Sequence, residues 1–161
     1  MLVNRYQTVY LSFIATDLPI WNVIEATAHL YQQEPGKFYL LLHQSNSNIN
    51  QTQAEVRFSR QQKPKQELFW LEIAPNQIML TMQSNSHLSY RHFWEQGASG
   101  ISRYYLNQKC DRPSQSLRFR NFTRYLKVEC DPFPRNIRLE YELWSKKIQL
   151  GSYIVHVDID T

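Results

Sequence analysis

"ELFWLEIAPNQIMLTMQ", residues 67–83, sets two apolar runs on either side of Ala74-Pro75-Asn76. Proline presets the backbone for a turn and asparagine tolerates a left-handed corner, so the stretch reads as a hairpin joining 67–73 to 77–83. A hairpin commits its sheet to antiparallel pairing. Similar runs lie on both sides of it. "RYQTVYLSFIA" (5–15) and "KFYLLLH" (37–43) are rich in β-branched, aromatic and aliphatic residues. "TQAEVRFSR" (52–60) alternates Ala54, Val56 and Phe58 with Glu55, Arg57 and Ser59. Residues 136–144 put Ile137, Leu139, Tyr141 and Leu143 on one face, and 148–159 do the same with Tyr153, Val155, Val157 and Ile159. "GASG" (97–100) reads as a turn between a strand or irregular segment at 87–96 and a strand at 101–107.

One segment carries helix punctuation instead. In "TDLPIWNVIEATAHLYQQEPG", Thr16 or Asp17 suits an N-cap and Pro19 the first turn, while Pro35-Gly36 makes a stop. Trp21, Ile24, Ala28 and Tyr31 then fall on one helical face. The predicted fold is a mainly-β α+β single domain over residues 1–161. It is one antiparallel β-barrel or sandwich of about nine strands, with one helix at about 18–33. The absence of βαβ alternation argues against a parallel sheet.

The totals agree with a strand-rich globular chain: 161 residues, 42% hydrophobic, 14% aromatic and only four glycines. The net charge of +4 is unevenly spread. Residues 1–100 balance seven Lys and Arg against seven Asp and Glu, while 101–161 hold eleven against seven. The excess concentrates at 103–127, where Arg103, Lys109, Arg112, Arg118, Arg120, Arg124 and Lys127 face Asp111 alone. Such an excess favours acidic partners, nucleic acid among them.

"SLRFRNFTRYLKV" (116–128) lies inside this region. Its apolar positions are odd before Asn121 (Leu117, Phe119) and even after it (Phe122, Leu126, Val128). Side-chain direction in a strand cannot change parity without an extra residue, so a bulge is expected near Arg120-Asn121. Arg118, Arg120, Thr123, Tyr125 and Lys127 then point outward, and Arg124 inward between Phe122 and Leu126. An inward arginine needs an acid, a rim position or an anionic ligand.

Most catalytic and metal chemistries lack their motifs. The five histidines and two cysteines match no metal spacing, and His87 and His92 fall on different faces of either regular structure. Cys110 and Cys130 read as buried thiols. There is no G-x-S-x-G elbow, Walker lysine or dinucleotide fingerprint. Glu140 and Glu142, beside Arg138, read as a solvated charged face. "EQGASGIS" is a turn first, with Ser99, Ser102 and Arg103 as its best small-anion candidate. "VYLSFIA" is too short to span a membrane, and no secretion signal is legible, so a cytoplasmic location is expected.

The leading expectation is a non-catalytic binding or assembly protein. It would use a basic, aromatic-containing β surface, with Arg103, Arg118, Arg120, Arg124, Tyr125 and Lys127 as binding residues, to meet an acidic protein or nucleic acid. No cofactor is expected. One alternative is a barrel holding a small acidic apolar ligand, as a carrier or chromophore-handling lyase, with Arg124 inside. Another is a hydrolase whose site assembles from distant residues.

Overall fold

Alternation of apolar and polar residues dominates the chain, and in the computed structural model it closes a ten-stranded antiparallel barrel. Residues 5–45, 66–85, 88–106 and 115–160 are described; the expected strand at 52–60, with Lys109, Cys110, Arg112 and His87, lies outside them. The strands are β1 (Arg5–Ala15), β2 (Trp21–Glu34), β3 (Lys37–Ser45), β4 (Gln66–Ala74), β5 (Gln77–Ser84), β6 (Leu88–Glu95), β7 (Ser99–Leu106), β8 (Gln115–Cys130), β9 (Pro134–Ser145) and β10 (Ile148–Ile159). Each pairs with its sequence neighbours, and β1 pairs with β10 to close the ring, which leaves no sheet edge open. The 67–83 hairpin forms as read, with Ala74 opposite Gln77.

The expected helix is absent: its residues form β2. The segment holds two periodicities, and the one at spacing two wins. Ile24, Ala26, Ala28 and Leu30 all point inward and are buried. β2 is hydrogen-bonded on both sides, with Leu11 opposite Ile24 on β1 and Tyr39 opposite Tyr31 on β3. A helix would have abandoned two ladders and opened the barrel, a far larger loss than the modest helix preference of Glu, Ala and Leu.

The barrel interior is filled rather than hollow. Leu11, Leu40, Leu71, Leu80, Ile137 and Val157 are among its wholly buried side chains. Short turns at Pro35-Gly36, Pro75-Asn76, Gln96–Ala98 and Asp131–Phe133 connect strands at one end. There Phe38 packs edge-on against Phe133, whose ring also sits under the Arg5 guanidinium. Cys130, expected to be buried, is a free and exposed thiol at the end of β8. No helix among the described residues is long and apolar enough to cross a membrane.

Candidate functional site: a basic and aromatic outer row over a polar interior

The bulge in β8 exists, but at Arg124. Thr123 and Tyr125 oppose the consecutive residues Tyr141 and Glu140 of β9, so Arg124 is the extra residue. Before it Phe119, Asn121 and Thr123 point inward; after it Leu126 and Val128 do. The inward Thr123 and outward, half-buried Phe122 reverse the sequence expectation. So does Arg124, whose side chain is exposed and pairs with Glu142 (Nε–Oε1 3.1 Å). Arg124 therefore cannot hold a ligand inside the barrel.

The β6–β7 turn anchors the bulge. Gly97 N–H donates to the Thr123 carbonyl (3.0 Å), and Thr123 N–H donates to the Ala98 carbonyl (3.2 Å). Gly97 takes φ +68°, the left-handed conformation that glycine adopts without strain. Ser99, Ser102 and Arg103 do not converge on an anion: Ser99 and Arg103 are exposed, and Ser102 is buried inside.

On the outside, register brings arginines together. Arg91, Arg103 and Arg118 stand directly opposite one another on β6, β7 and β8. Arg120 lies two positions along β8, its guanidinium 5.5 Å from the Trp144 ring centroid. Strands are about 4.8 Å apart, so the three aligned charges start within roughly 10 Å of one another. Like charges directly opposite are destabilising. Among the described residues none of these four arginines pairs with a carboxylate; Arg91 Nε donates to Thr81 Oγ1 instead (3.1 Å).

Beyond the bulge the charges are neutralised. Lys127 pairs with Glu129 (2.6 Å), and Arg138 with Glu140 (2.9 Å). Tyr125 is exposed there, opposite Glu140. Of the six expected binding residues, Arg103, Arg118 and Arg120 thus fall in an uncompensated patch, whereas Arg124, Tyr125 and Lys127 fall in a compensated one. Arg91 was missed by the sequence reading. It stands six residues before Gly97 and Arg103 six after, so counting outward from the turn pairs them.

The same row continues into aromatic side chains. Arg91 opposes Thr81, Thr81 opposes Trp70, Trp70 opposes Leu41, Leu41 opposes His29 and His29 opposes Tyr6. Tyr6 stacks on His29 (4.8 Å, 7°) and Tyr31 on Tyr39 (5.3 Å, 14°), with Trp70 edge-on to both tyrosines of the second pair. Tyr6 is 78% exposed.

Beneath the arginines the interior turns polar. Asn121 Nδ2 donates one proton to the Phe93 carbonyl (3.0 Å) and one to Ser102 Oγ (2.9 Å). Ser102 Oγ lies 2.7 Å from His92 Nδ1. Both amide protons are used, and among the described residues the buried serine proton finds one acceptor, His92 Nδ1; satisfying it assigns the imidazole proton to Nε2. His92 stacks flat on Trp94 (4.8 Å, 3°). Burial drives its pKa down to about 3, so the ring is neutral. Serine beside histidine has the look of an activated nucleophile, but Ser102 has no solvent exposure. Among the described residues no three His, Cys, Asp or Glu side chains gather as a metal site.

A pH dependence follows. The unfolded chain protonates His92 near 6.5 while the folded chain resists until about 3. The unfolded state therefore binds the extra proton, and stability falls as pH falls from 6.5 towards 3. Urea unfolding should show a loss of about 1 kcal/mol between about pH 7 and about pH 5.5 that is absent in His92→Gln; equal slopes for the two proteins would contradict a neutral buried ring.

The chain matches no protein-family model and no curated protein. Among solved structures it is similar to the ywiB protein from Bacillus subtilis, with a TM-score of 0.63 at 13% identity, over 99% of this chain and 96% of that one. At that identity the likeness is one of fold, and it extends over nearly the whole of both chains.

Proposed function

We propose that the chain is a non-catalytic binding protein whose outer β6–β7–β8 face grips single-stranded nucleic acid. The observation that carries this reading is the row of Arg91, Arg103 and Arg118, three like charges in register with no carboxylate partner among the described residues. Guanidinium groups recognise phosphate oxygens through paired donors, and an anionic backbone would relieve their mutual repulsion. Continuity with Trp70, Tyr39 and Tyr6 favours nucleic acid over an acidic protein, because aromatic faces give unpaired bases a stacking surface.

The test is fluorescence anisotropy with labelled oligo-dT and oligo-U across a salt series. Four arginine–phosphate contacts predict a slope of log affinity against log salt of about −3, or roughly a 50-fold loss between about 50 and 200 mM. Salt-insensitive binding would defeat the reading. So would retention on polyglutamate with no affinity for either oligonucleotide, which would transfer the face to an acidic protein.

A further inference from the structure

Independently of the outer face, we propose that the end of the barrel opposite the short turns holds a binding site for an uncharged, planar aromatic or heterocyclic molecule bearing a hydrogen-bond acceptor. A cavity of about 210 Å³ opens there, walled by Tyr90, Tyr104, Tyr141, Tyr153 and Phe13, with His92 among its lining. Hollows of about 430 and 510 Å³ exist elsewhere on the barrel, but among the described residues neither is lined by a buried polar side chain. The mouth cavity has one, and its proton is placed.

The chain of donors from Asn121 through Ser102 to His92 Nδ1 ends in an Nε2–H with no protein acceptor among the described residues. This group can only donate. Its rotation is prevented by the flat stack on Trp94 and by the edges of Tyr90 (5.2 Å) and Tyr104 (5.4 Å, 86°). Tyr141, tilted against the imidazole at 5.9 Å, stacks on Tyr153 at 5.3 Å and extends the aromatic wall. Such a site suits a ring slotted between aromatic faces with a carbonyl oxygen or pyridine-type nitrogen on the imidazole N–H. The volume lies below the ~300–1,000 Å³ of drug-sized sites, which restricts the ligand to one or two rings.

The charge of the ligand follows from what the cavity lacks. Among the described residues no Lys, Arg, Asp or Glu lines it, and the imidazole is neutral. An anion would find no counter-charge among these lining residues, and the Asp17 carboxylate acts on Tyr153 at the rim. The tyrosines retain their protons: burial raises Tyr104 to about 12 and holds Tyr141 well above the usual phenol range. The acidic ligand that the sequence offered as an alternative depended on an inward Arg124, and the cavity's described lining favours a neutral one.

Proton–nitrogen NMR of the imidazole in the wild-type chain tests this, with quinolin-4-one and nicotinamide as neutral probes and 1-naphthoate as the charged one. Saturable binding of a neutral probe that moves the His92 Nε2–H resonance is expected, with 1-naphthoate about tenfold weaker or absent. His92→Phe preserves the ring and removes the donor, and should cost about tenfold in affinity for the same probe. No saturable binding by either neutral probe, binding that leaves the imidazole resonance in place, or 1-naphthoate binding as tightly as its neutral counterparts would each overturn the proposal. The wild-type measurements stand on their own if His92→Phe does not fold.

Discussion

Gly100→Ala is expected to cost at least about 3 kcal/mol of stability, enough to lower the melting temperature by roughly 10 °C in a chain of this size. A β-carbon at position 100 would sit well inside contact distance of the Phe93 carbonyl oxygen and 3.0 Å from Asn121 Oδ1. Neither neighbour can retreat cheaply. The Phe93 carbonyl accepts from Asn121 Nδ2, the same amide that organises Ser102 and His92, and β6 is paired to both of its neighbours. Relieving the clash means parting β6 from β7 or breaking the buried amide chain. Gly97→Ala provides the contrast. Nothing lies within 4 Å of its β-carbon, and its φ of +68° alone predicts a cost of about 1 kcal/mol. Thermal and urea unfolding of the two variants should separate them clearly, and a Gly100→Ala protein as stable as the parent would show that β7 does not approach β6 so closely.

The strand framework was legible because most of the barrel obeys one rule. Ile137, Leu139, Tyr141 and Leu143, like Tyr153, Val155, Val157 and Ile159, face inward as their alternation predicts. Two departures share one cause: hydropathy describes only part of what a sheet asks of a side chain. In β2 the small inward Ala26 and Ala28 and the outward Trp21 and Tyr31 support a helical face as well as a strand face, and only the neighbouring ladders decide. In β8 the buried Asn121, polar and held through both amide protons, resembles an outward residue, while the half-buried outward Phe122 resembles core. The parity change was therefore detected but displaced by three residues, from Asn121 to Arg124. The candidate site was half legible for the same reason. Composition identified the basic region, but whether a cation has an acid beside it depends on cross-strand register, which separates Arg103 and Arg118 from Arg124 and Lys127. The buried Asn121–Ser102–His92 chain spans three strands and leaves no local motif.

Reversing two charges of the aligned row, Arg103→Glu with Arg118→Glu, should reduce oligonucleotide affinity at least about 100-fold at low salt and flatten its salt dependence. Loss of two phosphate contacts alone lowers the salt slope by about 1.4, and two carboxylates beside Arg91 and Arg120 would repel the phosphates that remain. The effect is specific to position rather than to net charge. Arg124→Glu with Lys127→Glu makes the same change in total charge, yet those side chains are already engaged by Glu142 and Glu129, so a much smaller loss is expected from that pair. Stability should move in the opposite direction for a neutral version. Arg103→Gln with Arg118→Gln removes the cross-strand repulsion, and is expected to melt no lower than the parent, and higher by an amount that shrinks as salt is added. A residue pattern that weakens the free fold and strengthens its hold on an anion behaves as a binding surface. If the two reversal pairs weakened binding equally, the attraction would belong to net charge alone and the arginine row would have no special role; if Arg103→Gln with Arg118→Gln destabilised the protein, those side chains would be supporting the sheet instead.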